Sequence, residues 1–550
     1  MISELRDVVV AWIALDPDAV DRATLQALLD ADDVTELERR FSTPLTFGTA
    51  GLRGPEMAGP AGMNRATVRR ATQGVLAWLD VLGLDRSKGV VVGRDARHGS
   101  ERFNDEVVGV LLGAGVTVYE MPGPLPTPLV PYCVKALGAA AGIMITASHN
   151  PPEDNGYKLY ARDGSQIIPP DDETVERYMR EATEATLSDR TSPAHFVIAD
   201  ELLEQYRTHF LERFRVSKGS DLAITYTPLH GVGGATAVRL LADAGYAHVT
   251  KVTKQFEPDG DFPTLPFPNP EEPGALDLAI ATANEANSTL ILANDPDADR
   301  LGAAARKGDE WRLLRGDEIG WLLASALLAE IGASHQMMAT TIVSSTLLEK
   351  MAADAGVDFA TTLTGFKWIA RAGGDRVLGF GYEEALGFAV DAEVGDKDGL
   401  SAALALARLT HDLAQKGMTL FDRLDELEGR FGVHSTSQLA LRAEGAEGLA
   451  SISRVVTQLR ERPPASLGSL AVTEVVDLNQ GWRGLGSTDG VVLILGALGR
   501  VIVRPSGTEP KVKAYVEVTP MAEGSLEDQR AIARELIDGV RVSLATLLRV

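Results

Sequence analysis

The chain has 550 residues, 45% of them hydrophobic and 24% charged, ordinary globular usage over a length that calls for roughly three to five domains. Its 77 acidic against 53 basic residues leave a net charge of -24, which excludes a general nucleic-acid binder, because a phosphate backbone needs an extended basic surface. The single cysteine, Cys133, rules out an intramolecular disulfide and fits a reducing, cytoplasmic compartment.

The amino terminus, Met-Ile-Ser-Glu-Leu-Arg-Asp, carries acid early and lacks the apolar run of a signal peptide. No stretch approaches the roughly 18 apolar residues that cross a bilayer, so no membrane partner is expected. Residues 1–46 read as helical, with apolar positions at helical spacing from Ala23 to Phe41. A glycine-rich stretch follows, Phe47-Gly-Thr-Ala-Gly-Leu-Arg-Gly, whose one cation is Arg53; a plain turn would read the same way.

From Gly89 strand and helix alternate: Val90 to Val92, a helix from Ser100 to Leu112, Val116 to Tyr119, a helix from Pro128 to Leu137, then the apolar run Ala139 to Ile145. That is the pattern of a parallel α/β domain. Cys133 falls on the second helix as a small apolar residue. The last strand delivers Thr146-Ala-Ser-His-Asn-Pro-Pro-Glu-Asp-Asn-Gly-Tyr-Lys158. Ser148 therefore sits at a strand's carboxyl end, the edge where open α/β sheets bind ligands, on a stiff Asn-Pro-Pro turn. Taken alone, an ordinary loop serine fits equally well. An acidic helix from Asp171 to Asp189 closes the unit.

A second unit starts near Asp221 with a strand at Leu222 to Thr225, a glycine-rich turn His230-Gly-Val-Gly-Gly and a helix from Ala235 to Ala244. The turn suits either phosphate binding or tight packing. A proline-rich loop from Phe256 to Pro273 precedes the strand Thr289 to Ala293, which delivers Asn294-Asp295-Pro-Asp297-Ala-Asp299-Arg300. A third unit holds a strand at Met338 to Val343, a helix at Ser345 to Ala355, the loops Thr364-Gly-Phe-Lys367-Trp and Gly381-Tyr-Glu383-Glu384-Ala, and a helix from Gly399 to Lys416. Strand, helix, strand and charged loop thus recur three times, which suggests repeated domains. From Arg430 the pattern becomes strands at Val472 to Val476, Gly490 to Leu495 and Lys511 to Val518 with a closing helix at Ser525 to Leu548, an α+β domain. The expected domains are residues 1–200, 201–303, 304–428 and 429–550.

Asp295, Asp297 and Asp299 gather charge so densely that a hard divalent cation is the simplest remedy, and carboxylate oxygens suit Mg²⁺. An aspartyl nucleophile after a strand and plain surface acids remain alternative readings. Arg504-Pro-Ser506-Gly507-Thr508 combines a forked cation, two hydroxyls and a permissive backbone, the groups that bind a phosphate dianion. Glu383 and Glu384 are either solvated acids or acceptors for sugar hydroxyls. Lys367, beside Phe366 and Trp368, is either a snorkelling surface lysine or a cation in a cleft.

In this order the stretches around Arg53, Ser148, Asp295, Glu383 and Arg504 resemble the α-D-phosphohexomutase family, the phosphoglucomutases and phosphomannomutases, over essentially the whole chain. The wording Phe47-Gly-Thr-Ala-Gly-Leu-Arg-Gly, Gly365-Phe-Lys-Trp and Gly381-Tyr-Glu-Glu-Ala is most similar to the branch of phosphoglucomutase 2 and phosphopentomutase-like enzymes. The resemblance implies an α/β protein with three similar mixed-sheet domains and a C-terminal α+β domain around a central cleft. It implies that Ser148 carries the transferable phosphate and that Asp295, Asp297 and Asp299 bind Mg²⁺, with the phosphoserine oxygen of residue 148 completing the metal site. Arg300 would lie beside the metal loop, Glu383 would hold sugar hydroxyls, and Arg504, Ser506, Gly507 and Thr508 would bind the other phosphate. Lys158 and Arg53 match positions near the phosphoserine, with Lys158, then His149, as candidates for the general acid or base. Ala385 stands where many members have a serine, so that hydroxyl contact is missing.

The implied reaction interconverts hexose 1-phosphate and hexose 6-phosphate, glucose first, with glucose 1,6-bisphosphate as activator. A phosphopentomutase or a sugar bisphosphate synthase is the alternative on the same scaffold, and a monomer or dimer is expected.

Overall fold

The computed structural model describes residues 3–47, 51–442, 445–505, 511–521 and 523–548. Gly48, Thr49 and Ala50 of the first glycine-rich stretch, and Ser506, Gly507 and Thr508 of the expected phosphate loop, lie outside the described residues. Two compact units divide the chain, Met1–Leu314 with Gly387–His411, and Arg315–Leu386 with Asp412–Val550. Among the described residues no helix is long and apolar enough to cross a membrane.

The first unit opens with three helices, Ser3–Leu15, Ala19–Asp30 and Val34–Phe41, where the sequence pattern predicts one run from Ala23 to Phe41. The break falls at two aspartates. Asp32 takes the left-handed conformation with φ 52°, and the Asp33 carboxylate accepts the Glu36 N–H at 3.1 Å. A short acidic side chain competes for backbone donors and so starts a new helix.

Strands β1 (Leu52–Pro55), β2 (Val90–Arg94), β3 (Val118–Pro124), β4 (Ala141–Ile145), β5 (Asp154–Ala161) and β6 (His195–Val197) form one sheet in the order β1-β5-β4-β2-β3-β6. Strand β2 runs parallel to β3 and β4, whereas β5 returns antiparallel to β4. Helices cover both faces, so β4 is buried along its whole length and reads as a continuous apolar run. The helix Arg65–Val81 shows how the core is assembled. Asn64 caps it by accepting the Thr67 N–H at 2.8 Å, and Val68, Ala71, Val75, Trp78 and Leu79 recur three and four residues apart to form its buried stripe. The acidic helix spans Asp171–Glu181 rather than reaching Asp189, because Ala182 turns extended (φ −63°, ψ 136°) and Arg70 donates to the end carbonyls of Arg180 and Ala182.

A second sheet in the same unit holds β7 (Ser220–Thr227), β8 (Tyr246–Lys251), β9 (Leu290–Asn294), β10 (Leu301–Lys307) and β11 (Glu310–Leu314) in the order β11-β10-β9-β7-β8. Here too β7 is parallel to β8 and β9, and β10 returns antiparallel to β9. The repeat suggested by the sequence is therefore a repeat of topology. The loop between the last parallel strand and its antiparallel return carries Ser148 in one sheet and the three aspartates in the other.

In the second unit β12 (Met337–Thr341) pairs in parallel with β13 (Asp358–Thr362) and β14 (Leu378–Glu383). The C-terminal sheet is antiparallel, built from Ser435–Arg442, Glu474–Asp477, Val491–Ile494, Gly499–Pro505 and Lys511–Val518. Buried Glu517 ties this sheet to the start of the helix Leu347–Ala355. Its Oε1 accepts from Ser345 Oγ at 2.7 Å and from the Thr346 N–H at 2.7 Å, and Arg500 Nε donates to Oε2 at 3.1 Å. Burial favours the neutral acid, but Arg500 and then His434 outweigh it and hold the Glu517 pKa down at about 2. A folded pKa below the unfolded value contributes stability above the unfolded pKa that is lost as pH falls through the folded one. Glu517→Gln is thus expected to reduce unfolding free energy by about 3 kcal/mol at pH 7 and by about half that at pH 3. Urea unfolding at both pH values checks this, and an equal loss at both would show that packing, not charge, sets the effect.

Candidate active site

Strand β4 ends at Ile145, and Ser148 lies three residues on in a left-handed conformation with φ 52°. A non-glycine residue held there stores roughly 1–3 kcal/mol of strain, which surrounding contacts must offset. The Thr146 hydroxyl accepts the Ser148 N–H at 2.9 Å. Ser148 is 2% exposed; its hydroxyl donates to Asp295 Oδ2 at 2.6 Å and lies 3.2 Å from His149 Nδ1. The two loops that share a topological position in their sheets thus meet at this oxygen.

Asp295, Asp297 and Asp299 are fully buried, each with a carboxylate oxygen within 4.8 Å of the others. Lys158 Nζ, brought in on β5, donates to Asp297 Oδ2 and Asp299 Oδ2, both at 2.7 Å. Lys397 Nζ lies 3.0 Å from Asp299 Oδ2. The Thr127 hydroxyl donates to Asp297 at 2.6 Å, and the Arg300 N–H donates to Asp295 Oδ1 at 3.0 Å. Burial, then the charges of Asp297 and Asp299, push Asp295 well above the usual carboxylate range. Burial works the same way on Asp297, but Lys158 overrides it and holds that carboxyl below the range. Lys158 is likewise disfavoured as a cation by burial yet raised by Asp297 and Asp299, so it is held charged.

Asp297 Oδ1 and Asp299 Oδ1 are buried and accept no hydrogen bond from the described residues. Hard oxygen donors with open lone pairs, clustered where charge is already excessive, fit a divalent cation. The glycine-rich turn after β7 serves this loop by packing. The Val232 N–H donates to the Pro296 carbonyl at 2.8 Å, and a Cβ on Gly231 would stand 2.2 Å from the Pro296 Cα, so of the two readings left open by the sequence, tight packing holds.

Arg53 donates from Nη1 to Asn150 Oδ1 at 2.9 Å, which places this cation against the serine loop. Two residues that the sequence pattern did not single out also belong here. Arg97, from Gly93-Arg-Asp-Ala-Arg-His-Gly-Ser after β2, donates to the Ser148 carbonyl at 2.7 Å. Lys397 comes from Gly395-Asp-Lys-Asp-Gly. Both are cations in glycine-flanked charged stretches, and Arg97 follows a buried strand, the signal that exposed Ser148. Cys133 is buried, and burial alone pushes its thiol up to about 12, as suits a packing residue.

Lys367, Glu383 and Arg504 lie in the second unit. Glu383 ends β14, and its Oε1 accepts the Gly365 N–H at 2.8 Å, which joins the Glu383 loop to the Gly365-Phe-Lys-Trp turn. Lys367 is buried, its Nζ 5.9 Å from the centre of the Trp368 ring. Arg504 pairs with Lys513 across adjacent strands, and its Nε is a buried donor with no hydrogen-bond partner among the described residues.

Residues 44–186, 204–308 and 315–431 match α/β/α domains I, II and III of phosphoglucomutase/phosphomannomutase, and residues 459–534 match the C-terminal domain. A Haemophilus influenzae protein named probable phosphomannomutase is 38% identical over 487 residues, 87% of this chain and 97% of that protein. The Mus musculus phosphopentomutase is 33% identical over 580 residues, 96% of this chain and 93% of its own. The crystal structure of a phosphoglucomutase/phosphomannomutase family protein from Burkholderia thailandensis superposes with a TM-score of 0.68 at 20% identity, covering 92% of this chain and 97% of the other, which shows a shared fold. Fold, site and matches define an enzyme of the intramolecular phosphotransferase class, an isomerase. The chain belongs to the phosphoglucomutase/phosphomannomutase family.

Proposed function

We propose that the protein interconverts hexose 1-phosphate and hexose 6-phosphate, glucose first, with Ser148 as phosphate carrier. The observation that carries this reading is the 2.6 Å contact between Ser148 Oγ and Asp295 Oδ2, which joins a strand-end hydroxyl to a buried carboxylate cluster. Phosphoserine 148 transfers its phosphoryl group to the free hydroxyl of a bound sugar monophosphate. The seryl P–O bond breaks, a sugar P–O bond forms, the sugar hydroxyl loses its proton and the seryl oxygen regains one. The resulting bisphosphate turns over and returns its other phosphoryl group to Ser148, and glucose 1,6-bisphosphate primes an unphosphorylated enzyme.

Asp295, Asp297 and Asp299 are the residues to hold Mg²⁺, which supplies neutralisation of charge on the transferring phosphoryl oxygens. Lys158, held as a cation between two carboxylates, steadies that charge and is poorly placed to accept a proton. His149, with Nδ1 3.2 Å from Ser148 Oγ, is the better group to move a proton at the seryl oxygen. Arg53 braces the loop through Asn150. Arg504, with Ser506, Gly507 and Thr508, binds the phosphate that is not transferred, while Glu383 and Lys367 meet the sugar.

A second reading, a pentose phosphate substrate, is favoured by the mouse phosphopentomutase, whose likeness runs over 96% of this chain. An activity panel of glucose, mannose and ribose 1-phosphates with Mg²⁺ and the matching bisphosphates separates the two. Glucose 1-phosphate is expected to show a kcat/KM at least about tenfold above ribose 1-phosphate, the scale of discrimination one or two sugar contacts supply. The reverse order would reassign the substrate, and no transfer to any sugar would overturn the mutase reading.

A further inference from the structure

Resting on the assignment of Ser148 as phosphate carrier, we propose that Arg97 is a positioning residue for phosphoryl transfer, a clamp that holds the Ser148 loop in its reactive shape beneath the ring of Phe262. The Arg97 side chain is almost wholly buried and its head group spends four N–H donors on one loop. Nη2 donates to the carbonyls of Ser148 at 2.7 Å and Asn150 at 2.6 Å, and Nη1 to those of Pro151 at 2.6 Å and Asp154 at 2.9 Å. Its remaining edge faces Asp95, with Nε 3.4 Å from Oδ2. The Asp95 Oδ1 is itself fixed by the Arg97 N–H at 3.0 Å and by the Ser100 hydroxyl. One planar cation thus gathers carbonyls from both sides of the two prolines.

Only a guanidinium meets this demand. Five donors in a rigid fork can serve four converging carbonyls, whereas an ammonium offers three donors from a single point. The four bonds offset the strain of Ser148 at φ 52° and fix where its hydroxyl points, since the Ser148 carbonyl is one of the four. Phe262 completes the clamp. Its ring centre lies 4.9 Å from the Arg97 guanidinium carbon, and the ring is buried, so water is kept from the donors and each bond is stronger. Phe262 comes from the proline-rich loop 256–273, which gives that long irregular segment a task. It covers the device that sets the serine in the neighbouring domain.

The test follows turnover and the rate at which Ser148 gains a phosphoryl group from glucose 1,6-bisphosphate, read by intact mass. In Arg97→Lys both rates are expected to fall roughly 100-fold, the scale of a misplacement near 1 Å, with KM for the sugar phosphate within about threefold. Methylguanidinium is expected to restore part of the rate of Arg97→Ala and to leave the parent unchanged, a response that a merely structural role would not give. Phosphorylation of Arg97→Lys at a rate within about threefold of the parent would overturn the proposal. Should neither Arg97 variant fold, Phe262→Ala decides: kcat about tenfold down at unchanged KM supports the clamp, and unchanged kcat refutes it. If the parent itself never gains a phosphoryl group at Ser148, the functional reading falls and this one with it. If the parent gains it and the variants gain it equally fast, only the clamp falls.

Discussion

Ser148→Ala is expected to lower mutase turnover by roughly 10⁴-fold or more, even with saturating glucose 1,6-bisphosphate. Alanine removes one oxygen and little else. The loop keeps the four carbonyl bonds to Arg97, and the Thr146 hydroxyl still accepts the backbone N–H of residue 148. Both residues carry a Cβ, so the left-handed backbone is strained to the same degree in each. What goes is the atom that stores the phosphoryl group between its two transfers, the oxygen against which His149 and Asp295 are both placed. Thermal stability is expected to move little while mass spectrometry finds no phosphoryl group on the variant. Turnover within about tenfold of the parent would mean that the phosphoryl group passes through another residue or directly between sugars.

The placement of Ser148 and of the three aspartates was legible because buried parallel strands announce themselves. Ala141 to Ile145 and Leu290 to Asn294 are covered on both faces, so each reads as an unbroken apolar run with a sudden polar end. Strand β5 hid for the opposite reason. Two prolines precede it and Asp154, Asn155 and Lys158 interrupt its pattern, yet register with β4, Met144 against Lys158 and Ile145 against Tyr157, makes it a strand. That register is what sends Lys158 to the aspartates. Arg97 was harder to see because its partners are backbone carbonyls, which every residue possesses and no side-chain pattern marks. Its charged loop after β2 carried the same positional signal as the serine loop, without a run of acids to single it out. The helix predicted through Asp189 stops at Glu181 because Arg70, more than a hundred positions earlier in the chain, takes its final carbonyls. Long-range caps of this kind lie beyond any local reading.

The aspartate cluster leads to an expectation with opposite signs in two solutions. Asp295 accepts the Ser148 hydroxyl and the Arg300 N–H, but burial and the adjacent Asp297 and Asp299 raise its pKa well above the usual range. A carboxyl whose folded pKa exceeds the unfolded one loses stability as pH rises through the unfolded value, so without a cation the charged form of Asp295 works against the fold at neutral pH. Asparagine has nearly the same shape, can still accept the Arg300 N–H and can donate to the serine oxygen. In chelator, Asp295→Asn is therefore expected to unfold at the same temperature as the parent or higher. Adding Mg²⁺ reverses the order. The parent gains about 2.7 kcal/mol when the free ion stands near 100 times its Kd. The variant, with one carboxylate fewer, gains far less and loses turnover by roughly 10³-fold. Thermal scans with and without Mg²⁺, beside kcat, read all three effects. Equal Mg²⁺ stabilisation of parent and variant would mean that the cluster holds no ion, and that Lys158 and Lys397 supply the cationic charge that keeps these carboxylates buried.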